Sequence, residues 1–153
     1  MNNSDSETNQ ICKNLTLIKV DPDNQFHNES LYRFLKNRRF NISHNELPSY
    51  EMHLKFVRKN PYRKWFLVSF DLDLIGSVYI LYDNGIGIDL NAKYYFLIKE
   101  IIRKINIIIK PLNAIKSIRT DKFHINISPS NLELHEKLNE AGWVLKQCRF
   151  ELS

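Results

Sequence analysis

Short apolar runs separated by polar turns predict the β-strands of this chain. One run, LTLIKV at 15–20, stands near the start, and three others follow in the middle of the chain. The three are KWFLVSF at 64–70, LIGSVYILY at 74–82 and IGIDL at 86–90. Polar turns join them, and the Asn84-Gly85 pair between two apolar runs is a strong β-hairpin signal. The pattern predicts a first strand followed by a three-stranded antiparallel meander.

Helical periodicity appears on either side of the meander. SLYRFLKNRR at 30–39 has apolar residues at helical spacing, with Asn28 or Glu29 placed to begin the helix. SYEMHLKFVRK opens at Ser49 and repeats the same spacing. After the meander, a long apolar face runs over 94–108 with lysines and arginines opposite. We therefore expect two helices after the first strand and a long core helix after the fourth.

The last third of the chain reads as strand, helix and strand. The segments are KFHINIS at 122–128, SNLELHEKLNEA at 130–141 and GWVLKQCRFEL at 142–152. Pro129 ends the first of these strands because it lacks a backbone donor. Ser130 and Glu133 have the spacing of a capping box, so the helix is expected to be capped by Ser130.

The composition is that of one globular domain. Of the 153 residues, 43% are apolar, 25% charged and 12% aromatic. Residues 1–12 are polar and predict a flexible tail, which leaves 13–153 for the domain. Cys12 and Cys148 lie far apart without metal-ligand spacing, and no apolar leader precedes them, so we expect a reduced, cytoplasmic protein without a metal site. Charges interrupt the longest apolar run, which argues against a membrane span.

The net charge of +5 is distributed in blocks. Residues 31–66 and 92–122 are strongly basic, whereas 67–91 carry four aspartates and no basic residue. Solvated helix faces explain most basic patches, and such patches also suit a phosphate-bearing small molecule. Nucleic acid is a weaker interpretation, because no aromatic and basic residues interleave along a strand as a base-stacking surface requires.

The order of these elements, together with INISPSNLELHEKLNEAGWVLKQCRFEL at 125–152, resembles the GNAT superfamily of acetyl-coenzyme A dependent N-acyltransferases. The resemblance covers about 15–152, and its sharpest part is the Pro-x-Asn sequence at 129–131. A looser likeness at 49–68 is to the branch that acylates amino sugars on nucleotide carriers. The resemblance implies an α/β (α+β) fold, with a mostly antiparallel sheet of six to seven strands and about four helices.

In this family the fourth and fifth strands splay apart and the pantetheine arm of the cofactor lies between them. The resemblance therefore implies acetyl-coenzyme A as co-substrate, held by a short set of residues around that opening. These are Ile88, Asp89, Leu90, Asn91, Lys93 and Asn131. The simpler interpretation of Pro-Ser-Asn is that it only ends a strand and begins a helix.

Four residues are candidates for the base that takes the amine proton: Asp89, His124, His44 and Glu46. The last two lie in FNISHNELP, an irregular polar segment where the family places acceptor contacts. Each also has a structural interpretation, as a solvated loop group or as a cap of the next helix. A dedicated base is not compulsory, because the amine can lose its proton to solvent.

The chain departs from the family at two places. The tyrosine that often serves as the general acid in this family would fall at Leu138. The nearby His135 reads as a surface residue. The glycine-rich loop that cradles the pyrophosphate is missing, since no glycine lies between Gly87 and Gly142. We expect the basic side chains of Lys93, Lys99 and Arg103 to offset part of that loss.

From the sequence we therefore predict an N-acetyltransferase acting on a primary amine of a small molecule, with a nucleotide-linked amino sugar as one such acceptor. The retained Pro-x-Asn sequence favours the enzyme. The alternative is a degenerate, non-catalytic member of the fold that serves as a binding module, and the missing loop and Leu138 favour it. A homodimer is compatible with the sequence, and a membrane partner is not expected.

Overall fold

A five-stranded sheet forms the centre of the computed structural model, which describes residues 14–40 and 46–147. The strands are β1 (Leu15–Lys19), β2 (Lys64–Phe70), β3 (Asp73–Ile80), β4 (Gly85–Leu90) and β5 (His124–Ile125). They lie side by side in chain order, and all neighbours are antiparallel except β4 and β5, which are parallel. The predicted meander and the mostly antiparallel sheet are confirmed.

The described residues contain five strands, whereas six to seven were expected. The strand predicted over 122–128 pairs only at His124 and Ile125. The expected last strand over 142–152 is irregular as far as Gln147, and its remainder lies outside the described residues. Alternation of apolar residues shows where a strand is possible, but pairing depends on a partner distant in sequence, and here that pairing is short.

In the part of the chain that the structure describes, four α-helices flank the sheet, in agreement with the predicted number of about four. They are α1 (Gln25–Lys36), α2 (Tyr50–Lys59), α3 (Ile98–Ile108) and α4 (Leu132–Glu140). The helix expected from Tyr94 begins instead as a 3-10 helix over Ala92–Leu97, which leads into α3. Within the described residues, none of these helices is both long and apolar enough to cross a membrane.

The start of α2 was predicted correctly and that of α1 was not. Ser49 Oγ accepts a hydrogen bond of 3.3 Å from the Met52 amide, which is an N-cap. In α1 the cap is Asn24, whose side chain accepts from the His27 amide at 3.1 Å. Asn28, expected to begin the helix, lies inside it and donates to the carbonyl of Pro22. A good cap one turn upstream therefore extended the helix.

Among residues 14–40 and 46–147, the sheet separates two apolar cores. The larger core contains the buried face of α3, formed by Ile98, Ile101, Ile102 and Ile105, together with Leu134 and Leu138 of α4. The smaller core lies on the opposite face, where Leu31 of α1 and Val57 of α2 pack on Trp65 and Leu67 of β2. Because side chains alternate along a strand, each residue of β4 faces one of these two layers.

Asn84, in the turn before β4, joins three parts of the chain. Its side chain is fully buried; it accepts from the Leu112 amide at 2.7 Å and donates to the carbonyls of Leu112 at 2.9 Å and Thr120 at 2.8 Å. Its own carbonyl accepts from the His124 amide at 3.2 Å. Its φ of 71° is in the left-handed region, which asparagine tolerates better than most residues.

We expect Asn84→Ala to lower the free energy of unfolding by about 3 kcal/mol, measured by denaturant titration. The change removes three side-chain hydrogen bonds, leaves a buried amide and carbonyls without partners, and places alanine at a positive φ. Asn84→Gly avoids the strain of a positive φ but still loses the hydrogen bonds. Its free energy of unfolding should therefore lie between those of Asn84→Ala and the wild type. Asn139→Ala, at an exposed helical position, is the control. A wild-type stability for Asn84→Ala would contradict this role.

Candidate functional site

The parallel pair β4 and β5 opens after two residues. Gly85 pairs with His124 and Ile86 with Ile125, while β4 continues to Leu90. Within 14–40 and 46–147, no strand pairs with β4 beyond Ile86 on that side. The two segments therefore splay apart, as the resemblance implied for the fourth and fifth strands.

Two hydrogen bonds show which backbone groups of β4 face this opening. The carbonyl of Asn84 accepts from His124 on the β5 side, and the carbonyl of Gly85 accepts from Leu81 on the β3 side at 2.8 Å. Since successive residues of a strand direct their backbone groups to alternate edges, Ile88 and Leu90 point their N–H and C=O groups toward the opening. Two of the predicted cofactor residues thus present backbone donors and acceptors at an unpaired edge.

The opening contains a cavity of about 40 Å³. Its lining comprises Phe40, Ile88, Asn126, Ile127, Ser128, Asn131 and Leu134. Ligand pockets are commonly of the order of ~300–1,000 Å³, so this volume would admit only a small part of a cofactor arm. The predicted residues Ile88 and Asn131 meet at this cavity, on its β4 side and its helix side respectively.

Asn131, at the start of α4, has both ends of its side chain engaged. Its oxygen accepts from the Leu134 amide at 3.2 Å, which makes Asn131 the N-cap of α4. Its nitrogen donates to the Tyr95 hydroxyl at 3.0 Å, and the residue is only 5% exposed. The simpler interpretation of Pro-Ser-Asn required a helix cap here, and the cap is Asn131 instead of the expected Ser130.

The predicted capping box of Ser130 and Glu133 is wrong. Ser130 is exposed, and its hydroxyl lies 2.8 Å from that of Ser128. Because the helix begins at Leu132, the side chain that reaches the third amide belongs to Asn131. The buried bond to Tyr95 adds a tertiary reason for asparagine at the cap.

The start of the 3-10 helix does not offer a cradle of free amides. β4 runs directly into it, as the missing glycine loop predicted. The Asn91 side chain accepts from the Lys93 amide at 3.1 Å, and the Asn91 carbonyl accepts from the Tyr94 amide at 2.9 Å. Both amides therefore already have partners within the chain.

The basic side chains near this point differ in their availability. Lys93 is exposed, with Nζ 4.7 Å from the centroid of the Tyr94 ring. Lys99 is exposed on the first turn of α3. Arg103 is paired with Glu100, its Nη2 lying 2.6 Å from Oε1. Lys93 and Lys99 can reach an anion without first breaking a described ion pair.

Asp89 lies on β4 with its side chain on the α1 and α2 side, where it pairs with Arg38. Arg38 donates from Nη2 at 2.6 Å and from Nε at 3.2 Å, both to Oδ2 of Asp89. Burial alone would lower the pKa of Arg38, but the hydrogen bond and charge of Asp89 outweigh it and raise that pKa. Asp89 therefore enters the site as the partner of a permanent cation. It is Asn91, not Asp89, that caps the following 3-10 helix.

Two tyrosines lie beside this ion pair. The rings of Tyr62 and Tyr79 stack with centroids 4.1 Å apart. The Tyr79 ring also packs over Gly87, where an added Cβ would come 2.0 Å from its Cζ. Burial raises the pKa of both hydroxyls, and in Tyr79 this exceeds the lowering by Arg38. Both hydroxyls stay neutral, so they can donate and accept hydrogen bonds.

Of the other predicted bases, His124 lies apart from Asp89. His124 stands opposite Gly85, four residues before Asp89 along β4 and so ~13 Å away, and its Nε2 lies 3.8 Å from Asp83 Oδ2. Glu46 is exposed, and His44 lies outside the described residues. Leu138, at the place of the expected acid, is a buried core residue.

Sequence reasoning missed Arg38, Tyr62 and Tyr79. Arg38 follows an amphipathic helix and cannot be told from a solvated basic residue, because its partner lies 51 positions away in the sequence. The one sequence signal of close packing at this place is Gly87, a glycine within an apolar strand. Among the described residues, no group of three His, Cys, Asp or Glu could hold a metal ion.

Comparison with known proteins supports the fold. No protein-family model matches the sequence, and no curated protein matches it significantly. The chain is similar to the crystal structure of a possible acetyltransferase from Clostridium difficile 630, with a TM-score of 0.52 and 9% identity. That similarity covers 91% of this chain and 95% of the other. At this identity it establishes an acetyltransferase-like fold and no more.

The double role of Asn131 can be tested by denaturant titration of four variants. We expect Asn131→Ala to lower the free energy of unfolding by about 2 kcal/mol, through loss of the cap and of a buried hydrogen bond. Asn131→Ser keeps the cap, and Tyr95→Phe removes only the hydroxyl, so each should cost about 1 kcal/mol. Ser130→Ala should stay within about 0.5 kcal/mol of the wild type. A larger cost at Ser130 than at Asn131 would contradict the assignment.

Proposed function

We propose that this chain is an acetyl-coenzyme A dependent N-acetyltransferase that acylates a primary amine of a small molecule. The observation that carries the proposal is the opening between β4 and β5, where Ile88 lines a small cavity and the backbone groups of Ile88 and Leu90 that face the opening pair with no described strand. An unpaired strand edge is a natural acceptor for a ligand arm that contains amides. The acetyltransferase-like fold supports the same function.

The residues of the chain would act mainly by binding and orientation. The amide-bearing arm of the donor would pair with Ile88 and Leu90 as an added strand. The amine would approach from the α1 and α2 side, where the Asp89 carboxylate lies on the same strand. A nitrogen–carbon bond then forms, the carbon–sulfur bond breaks, and the thiolate leaves while the amine loses a proton. Positioning of this kind supplies much of the catalysis in bimolecular transfer.

The base remains a prediction among Asp89, His124, His44 and Glu46. Asp89 is the one of these that lies between the two residues facing the opening, and its carboxylate is held by Arg38. An amine already deprotonated by solvent would need the carboxylate only for orientation. The looser likeness at 49–68 makes a nucleotide-linked amino sugar one acceptor to include in any panel.

A second candidate function is a non-catalytic binding module with the same fold. Three observations favour it: the amides of Lys93 and Tyr94 are already bonded, the cavity is small, and Leu138 replaces the expected acid. The two functions differ in whether acetyl-coenzyme A binds and turns over. Incubation of the protein with acetyl-coenzyme A and a panel of primary amines, followed by mass spectrometry of the products, separates them.

Ile88→Pro should weaken acetyl-coenzyme A binding about tenfold relative to Ile88→Val, measured by isothermal titration calorimetry. Proline removes an N–H that faces the opening, and losing one hydrogen bond of this kind costs about 1 kcal/mol or slightly more. The fold should survive, because proline is tolerated where a strand N–H is unpaired. Asp89→Pro removes an N–H that faces β3, so this variant should instead destabilise the fold. Equal binding by the proline and valine variants would contradict insertion along β4.

Binding of acetyl-coenzyme A should weaken as salt rises from about 0.02 M to about 0.5 M, because exposed lysines rather than amides would hold the phosphates. Lys93→Ala should weaken binding by roughly fivefold at low salt and have little effect at high salt. Lys59→Ala, an exposed lysine at the end of α2, is the control. Tight binding that salt does not affect would contradict this mode, and absence of binding at low salt would favour the non-catalytic module.

A further inference from the structure

We infer that the acceptor carries an acidic group close to its amine, and that Arg38 and Asp89 together form its receptor. The inference rests on the proposed acetyl transfer and narrows its acceptor class. A zwitterionic ligand would place its ammonium or amine on the Asp89 carboxylate and its carboxylate or phosphate on the Arg38 guanidinium. The two charges that now satisfy each other would each gain a partner from the ligand.

The geometry of the pair leaves room for such an exchange. Both donors of Arg38 contact a single oxygen, Oδ2, at 2.6 Å and 3.2 Å, whereas a parallel fork would use both carboxylate oxygens. Within the described residues, Oδ1 of Asp89 and Nη1 of Arg38 bond to no other group. The side chains of Asp89 and Arg38 are 13% and 32% exposed, respectively, so both members of the pair are partly open to solvent.

The position of the pair connects it to the proposed transfer. Asp89 stands between Ile88 and Leu90, whose backbone groups face the opening between β4 and β5. Its side chain is directed to the α1 and α2 face, on which Tyr79 covers Gly87. An amine bound to Asp89 would therefore lie next to Ile88 and Leu90, the two residues whose backbone groups are proposed to hold the donor arm.

The surroundings match a ligand with one charge of each sign. Among the described residues, the neutral hydroxyls of Tyr62 and Tyr79 lie beside the pair and add no charge to it. Because the two receptor charges are in contact, the ligand's amine and acid must also lie within a few ångströms of each other. An amino acid or an amino alkyl phosphate has that spacing. In a nucleotide-linked amino sugar, the phosphate and amine are farther apart, so it fits the pair less well.

The test follows the Nε–H signal of Arg38 in proton–nitrogen spectra, assigned by its loss in Arg38→Lys. The probes are ethanolamine, L-serine, O-phosphoethanolamine and glycerate, which differ by the presence of the acid or of the amine. We expect saturable shifts with L-serine or O-phosphoethanolamine, about tenfold tighter than with ethanolamine or glycerate. Arg38→Gln should abolish the discrimination in calorimetry, and Arg39→Gln, next in the chain, should leave it intact.

Each result decides between the inference and its alternatives. Equal binding of ethanolamine and L-serine, no shift with any probe, or the same loss in Arg39→Gln would overturn the zwitterion receptor and leave a structural ion pair. Acetyl-coenzyme A binding that depends on the Ile88 amide, together with no discrimination among the probes, would overturn this inference alone. Discrimination among the probes without any binding of acetyl-coenzyme A would support the receptor and overturn the proposed acetyl transfer. Preference for O-phosphoethanolamine over L-serine would identify phosphate as the acid, and the reverse would identify carboxylate.

Discussion

The buried side chain of Asn84 is the constraint on which the arrangement of this site depends. Its three side-chain hydrogen bonds hold residues 112 and 120 against the turn, and its carbonyl holds the start of β5. The chain after α3 is thereby brought to the base of β4 and paired there for two residues. Because the pair is held at its base and not farther along, the far half of β4 keeps an unpaired edge. The opening is thus a consequence of where the sheet is anchored.

The alternation of a β-strand then gives neighbouring residues of β4 different tasks. The backbone groups of Ile88 and Leu90 face the opening, while the side chain of Asp89 lies on the side of the sheet covered by α1 and α2. A donor could be held by main chain and an acceptor by side chains without the two ligands competing for the same atoms. The period of two along one short strand would be enough to bring both partners of the proposed transfer together.

Local features of the sequence predicted local structure well. The Asn84-Gly85 hairpin, the Ser49 cap and the apolar face of α3 depend on residues close in sequence, and each was predicted from them. The cap of α4 was misplaced by one residue, because Ser130 and Asn131 are both good caps and the choice depends on Tyr95, 36 positions away. The ion pair of Arg38 and Asp89 was missed for the same reason, since nothing near either residue in sequence marks its partner. The number of strands was overestimated because a strand-like pattern does not show whether a pairing partner is in reach.

The Asn84-Gly85 sequence also bears on the chemical lifetime of the protein. Asparagine before glycine is prone to deamidation. The backbone nitrogen of the next residue attacks the carbonyl carbon of the asparagine side chain, and glycine has no side chain to hinder that attack. In the folded chain that amide donates to Asp83 Oδ1 at 2.8 Å, and the Asn84 side chain is held on both its oxygen and its nitrogen. Folding therefore protects the Asn84 side chain from deamidation, whereas in an unfolded chain the reaction can proceed. An aspartate formed there could no longer donate to Leu112 and Thr120, so a molecule damaged while unfolded would be impaired in returning to the native state.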